Sequence, residues 1–221
     1  MIFDAAVWSM ILVGIKETLL MVAISSAISY AIGIPLGILL VVTDVNGIKP
    51  MPKLNSTVGF IINILRSIPF MILLIMVLPV TRAIVGTTLG WKAVVPPLVF
   101  AAAPYIARMV ESSLKETDAG IIEAAKSMGA SNMQIVTKVY LPEAKPSLIT
   151  GAAISITTIL GYSAMAGFVG GGGLGTIAIN YGYYRYQTDI MILTVVILVL
   201  IVQLIQEAGT RLARNTDKRI R

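Results

Sequence analysis

The chain has 221 residues, 57% of them hydrophobic and 13% charged, with Lys+Arg 17 against Asp+Glu 11 and a net charge of +6. Its mean hydropathy of +0.88 leaves too little polar surface for a soluble domain, which is about half apolar and a quarter charged, so the composition is that of a membrane protein. Cysteine and histidine are both absent, which excludes disulfides, thiol nucleophiles and imidazole ligands or bases and weakens every enzyme reading.

In chain order, residues 1–14 lack the basic start and cleavage site of a signal peptide and are too few to cross a bilayer. They read as an interfacial lead-in. A bilayer core of roughly 30 Å takes about 20 apolar residues in a helix. Five spans are expected, at about 18–42, 57–79, 92–114, 146–168 and 190–207. The second is apolar except for Arg66, and the third holds Pro96, Pro97 and Pro104, with Arg108 near its end. The stretch from Pro146 to Gln187 is too long for one crossing and breaks at the glycine cluster Gly170–Gly173 and Gly175, into a helix ending near Phe168 and a structured loop. Gly33 and Gly37 form a small-xxx-small face for helix packing. A basic tail, 208–221, closes the chain.

Five crossings place the termini on opposite sides. With the amino terminus outside, the inner segments hold Lys49, Lys53, Lys115, Lys126, Lys138, Lys145, Arg211, Arg214, Lys218, Arg219 and Arg221, and the outer ones only Lys16, Arg82, Lys92 and Arg185. The positive-inside rule therefore puts the carboxyl terminus in the cytoplasm. The basic residues read as orientation signals, and no nucleic-acid partner is expected.

The polar stretch 116–145 between the third and fourth spans is too long for a simple connection. Asp118 is placed to cap a helix through Ile121, Ile122, Ala124, Ala125 and Met128, which Gly129 ends. Ser131 and Gln134 form a capping box that opens a second helix, expected to stop at Leu141-Pro142. The result is a helix-turn-helix facing the cytoplasm, with small residues for close approach and Glu123 for a basic partner.

The run Glu123-Ala124-Ala125, Gly129, Val139, Leu141-Pro142 resembles the EAA motif of ABC importer permeases, with valine where isoleucine is more usual. The resemblance implies a type I ABC importer permease fold occupying 15–207, and a coupling loop in which these seven residues meet a separate ATPase. It implies a homodimer joined to two ATPase subunits, which bind ATP and magnesium, so that the permease itself carries no cofactor or metal and is not an enzyme. The chain has no G-x-x-x-x-G-K-[ST] run with which to hold nucleotide itself. The detail of Arg66–Phe70, of 161–175 and of Tyr181–Tyr184 is most similar to permeases of methionine uptake, which implies methionine (D or L) as substrate, a lipid-anchored binding protein outside, and a bacterial cytoplasmic membrane with its lipids as surroundings. Permeases for glycine betaine and other osmoprotectants share the coupling loop, and such a substrate or another amino acid is the alternative. An ion-coupled carrier is disfavoured by the absence of Asp or Glu at mid-depth.

Three further groups of residues have both a functional and a structural reading. Arg66, with Ser67, Pro69 and Phe70, is a pathway candidate because intramembrane charge is costly; alternatively Arg66 pairs with Glu111 or a carbonyl, or reaches the interface. Met165, among small residues, either closes a pore against its twin or fills a core. Gly170, Gly171, Gly172, Gly173 and Gly175 either meet the binding protein or make a tight turn; their match to a dinucleotide fingerprint lacks the strand and acidic residue it requires.

Overall fold

The computed structural model describes residues 4–217; Lys218, Arg219 and Arg221 of the basic tail lie outside them. The described chain is helical: α1 (Ala5–Thr43), α2 (Pro52–Ser67), α3 (Phe70–Val85), α4 (Trp91–Lys115), α5 (Ala119–Ser127), α6 (Asn132–Ile135), α7 (Leu141–Glu143), α8 (Lys145–Met165), α9 (Gly173–Ile177) and α10 (Thr188–Thr216). Among the described residues four helices, α1, α4, α8 extended to Val169, and α10, are long and apolar enough to cross a membrane, and a fifth crossing exists if the bent pair α2 and α3 forms one span.

Three of these elements differ from the sequence-based expectation. The first helix begins at Ala5, so most of the expected lead-in is continuous with the first span. The second span is interrupted at Ile68-Pro69, because Pro69 has no amide to donate and takes an extended conformation (φ −57°, ψ 135°) as the residue before α3. The last helix continues to Thr216, carrying Arg211 and Arg214 beyond the apolar stretch.

The chain divides into two compact units, the boundaries falling within α1, α4, α8 and α10 as well as at the α2–α3 break. Unit 1 comprises 1–28, 68–102 and 156–206. Its core includes Ile11, Ile177 and Ile190, against which Val7, Met10, Tyr181 and Leu193 pack. Unit 2 comprises 29–67, 103–155 and 207–221. Here Leu40, Ile62 and Ala107 form a cluster with Leu36 and Val58. The glycine face of α1 lies against α4: a Cβ on Gly33 would stand 2.6 Å from Ile106 Cγ2, and one on Gly37 2.6 Å from Val110 Cβ. Only hydrogen allows that approach, and dispersion between closely packed backbones is the main force joining helices in lipid.

Candidate functional site

In unit 2 the segment between α4 and α8 begins where the Asp118 carboxylate accepts the Gly120 amide at 2.7 Å, capping α5. That helix ends through Gly129, whose φ of +79° is left-handed and favours glycine. The Gly129 amide donates to the Lys126 carbonyl and the Ala130 amide to the Ala125 carbonyl. Ser131 and Gln134 cap α6 reciprocally, at 2.8 Å and 3.3 Å. The sequence foresees these caps because each depends on local side-chain chemistry.

Of the seven coupling candidates, Glu123, Ala124, Gly129 and Pro142 are exposed, Val139 and Leu141 are half-buried, and Ala125 is buried. Ala125 thus packs inward and only Ala124 presents a small side chain outward. The exposed face also carries Ile121, Met128 (81% exposed) and Met133 (71%), apolar residues that periodicity alone would assign to a core. Leu141-Pro142 does not stop the second helix. Val136–Tyr140 forms a π-helical turn that leads into α7, and Leu141 donates to the carbonyl of Val136, five residues back. The wider turn accommodates the missing Pro142 amide at the start of α7, where proline is tolerated.

Beneath this segment is a charge network that the motif reading missed. Lys115 Nζ lies 2.8 Å from Asp44 Oδ2 and 2.9 Å from Glu111 Oε1. Arg108 Nη1 lies 2.6 Å from Glu111 Oε2, and Nη2 donates to the Gly59 carbonyl at 3.0 Å. The Lys115 ammonium holds the Asp44 carboxyl below its ordinary range, helped by the Asn46 amide, and Asp44 in turn raises Lys115. Burial chiefly, then the nearby Asp44 charge, pushes the Tyr140 hydroxyl up. Asp44, Lys115, Tyr140 and Ile122 line one cavity of about 330 Å³, so α5 and the π turn rest on charged helix ends. The available signal was the placement of Asp44 and Lys115 immediately after two spans. Glu111 is occupied by Arg108 and Lys115, which removes it as the proposed partner of Arg66; the latter is exposed and lines a different cleft. Ser67 is exposed, its hydroxyl donating to the Asn63 carbonyl at 2.8 Å.

In unit 1 the remaining pathway candidates separate. The Pro69 carbonyl accepts the Ile72 and Leu73 amides, each at 3.0 Å, and is not free to line a path. Phe70 is buried and stacks on Tyr162, with ring centroids 4.5 Å apart; it is a packing residue. Met165 is 46% exposed at the end of α8, which does not match a core filler.

The glycine stretch is not a long loop. A 3₁₀ turn (Ala166–Val169) precedes Gly170, and α9 starts at Gly173, continuing as a π turn through Tyr183. Gly170, Gly172 and Gly173 have φ of +74°, +75° and +69°. Gly171, Gly173 and Gly175 are buried, and a Cβ on Gly175 would stand 2.3 Å from the Ala164 carbonyl oxygen. Burial withdraws these three from any docking partner, because their role is close backbone packing. Gly170 and Gly172 are half-buried. Glu17 and Thr18 of α1 hold the turn, accepting the Gly173 amide at 2.7 Å and the Leu174 amide at 2.9 Å. Neither residue was identifiable from the motif, since the contacts span 156 residues.

Residues 33–221 match the family described as binding-protein-dependent transport system inner membrane component. The chain is 48% identical over 203 residues to the probable D-methionine transport system permease protein MetI of Vibrio cholerae, covering 92% of this chain and 90% of that one. It is 52% identical over 154 residues to the D-methionine transport system permease protein MetI of Escherichia coli, covering 70% and 71%. Among solved structures, one titled as inward-facing conformations of the MetNI methionine ABC transporter superposes with a TM-score of 0.96 at 48% identity, over 98% of this chain and 100% of the other. An amino acid ABC transporter at 17% identity and a TM-score of 0.77 shares the fold. On the match across 33–221 and these identities, the chain belongs to the family of binding-protein-dependent transport system inner membrane components.

Proposed function

We propose that this chain is the permease subunit of an ATP-driven importer that carries methionine across the bacterial cytoplasmic membrane. The observation that carries the reading is the likeness to the MetNI chain at 48% identity over 98% of the sequence. The chain works as a homodimer with two ATPase subunits that bind ATP and magnesium, and it receives substrate from an extracytoplasmic binding lipoprotein. Its amino terminus lies outside and its carboxyl terminus in the cytoplasm, with lipid against the exposed apolar face of α10, where Leu200 and Leu204 point outward.

Coupling runs through Glu123, Ala124, Gly129, Val139, Leu141 and Pro142. The exposed face of Ile121, Glu123, Ala124 and Met128 supports this: it joins an apolar ridge to one carboxylate, and Ala124 offers no bulk to hold a partner away. ATP acts on the other subunit, so the two permease states are biased only by what the ATPase binds differently in each. Met165 at the end of α8 is the gate candidate.

The test is copurification in mild detergent followed by a binding screen of the recovered external protein. An ATPase and a methionine-selective binding protein are expected; a betaine-selective one would replace the substrate and keep the mechanism. In reconstituted vesicles Glu123→Lys is expected to lower uptake by about tenfold or more, the effect of a lost charged interface contact, while the permease stays inserted. Wild-type uptake by this variant would remove Glu123 from the docking face.

A further inference from the structure

Unit 2 contains a cleft of about 370 Å³ with both polar and apolar walls, which include Arg66 from α2, Tyr105, Met109 and Ser112 from α4, and Thr150 and Ile154 from α8. Its size falls within the range of small-molecule sites. Of the five pathway candidates in the sequence, Arg66 alone lines it. Two guanidinium groups reach this cleft, and they differ. Arg108 is engaged by the Glu111 carboxylate at 2.6 Å and the Gly59 carbonyl at 3.0 Å. Arg66, among the described residues, forms no ion pair.

Glu116 also lines the cleft and, among the described residues, forms no ion pair; it accepts the Ser147 hydroxyl at 3.0 Å. Among the described residues the cleft therefore combines one cation and one carboxylate without an ion-pair partner, hydroxyl groups and the apolar surfaces of Met109 and Ile154. Gly151 lets Met109 lie close, since a Cβ there would stand 2.3 Å from the Met109 sulfur. In a membrane-spanning chain an unpaired arginine faces water or a polar path, and a guanidinium fork matches a carboxylate with two parallel hydrogen bonds.

We propose that this cleft is a binding site for a free α-amino acid on its way through the permease, with Arg66 taking the carboxylate and Met109 and Ile154 the apolar side chain. The hydroxyls of Tyr105 and Thr150 supply acceptors for the ammonium, and Glu116 draws it onward. A flexible thioether suits an apolar wall that itself contains Met109. The proposal rests on the methionine reading above for the choice of ligand, though not on the coupling assignment.

The chain has no native cysteine, so Ser112→Cys gives each permease subunit one thiol, with labelling read on the permease band. The permease–ATPase complex carrying it, without binding protein or ATP, is labelled with a water-soluble methanethiosulfonate. Excess methionine is expected to slow labelling severalfold. Arg66→Ala is expected to abolish that protection and Arg66→Lys to keep part of it, while 3-(methylthio)propylamine, which lacks the carboxylate, gives none. A reporter that reacts equally fast with methionine or glycine betaine, one that never reacts, or protection that survives Arg66→Ala would overturn the site. Protection by glycine betaine alone would keep a carboxylate site and overturn the methionine reading instead, and neither outcome depends on whether ATP drives transport.

Discussion

Asp44 and Lys115 show how little a charge pair needs to do energetically while still positioning a functional segment. Their 2.8 Å contact is partly exposed, which limits its contribution to about 0.5–1 kcal/mol. The Asp44 carboxyl is held below its ordinary value, so its contribution is present above the unfolded value of about 3.9 and is lost as pH falls through the lower folded value. Lys115 is raised, so its contribution is present below its unfolded value and is lost only as pH rises through the higher folded one. Stability from this pair is therefore level near neutrality. Thermal unfolding of the detergent-solubilised complex should fall more steeply below about pH 4 in the wild type than in Asp44→Asn; parallel curves would show that the pair contributes nothing. Asp44 was legible in the sequence only as the end of a span. Its partner stands 71 positions later, and no local pattern predicts which of several lysines it meets.

At the scale of elements, helix caps were the most legible features. Asp118, Gly129, Ser131 and Gln134 act through backbone groups within three residues of themselves, so the sequence determines their effect. Pro142 was misread because its consequence depends on the helix around it: an α-helix would be broken, whereas the π turn at Val136–Tyr140 supplies the room. The same limit applies to the glycine stretch, whose flexible composition conceals a packed turn held by Glu17 and Thr18. Gly33 and Gly37 were legible as a packing face, and the structure adds how tight that face is. Gly37→Ala would place its methyl 2.6 Å from Val110 Cβ and 2.7 Å from the Ala107 carbonyl. Overpacking of this kind costs about 1–3 kcal/mol, so a lower melting temperature is expected with the coupling face unchanged; an unaltered melting temperature would mean that α1 and α4 can separate freely.

For the whole molecule, composition alone was enough to place it in a membrane, and the distribution of lysine and arginine gives an expected orientation. The orientation is directly testable because the chain lacks cysteine. Thr87→Cys, in the turn between α3 and α4, should react with an impermeant maleimide on intact spheroplasts, whereas Ser127→Cys at the end of α5 should react only after permeabilisation. The reverse pattern would invert the topology. The π turn has a mechanical meaning at this scale. From Asn132 through α6, the π turn, α7 and α8 to Met165 the backbone remains helical apart from a single turn residue at Ala144, where the Ala144 amide still donates to Tyr140 and its carbonyl still accepts from Leu148. Within unit 2 the run from Asn132 to Ser155 thus contains no non-helical connection beyond that residue. A hinged connection would lose a push as local bending, whereas, under the coupling proposed above, a continuous helical run carries a displacement of the exposed loop face into the start of α8.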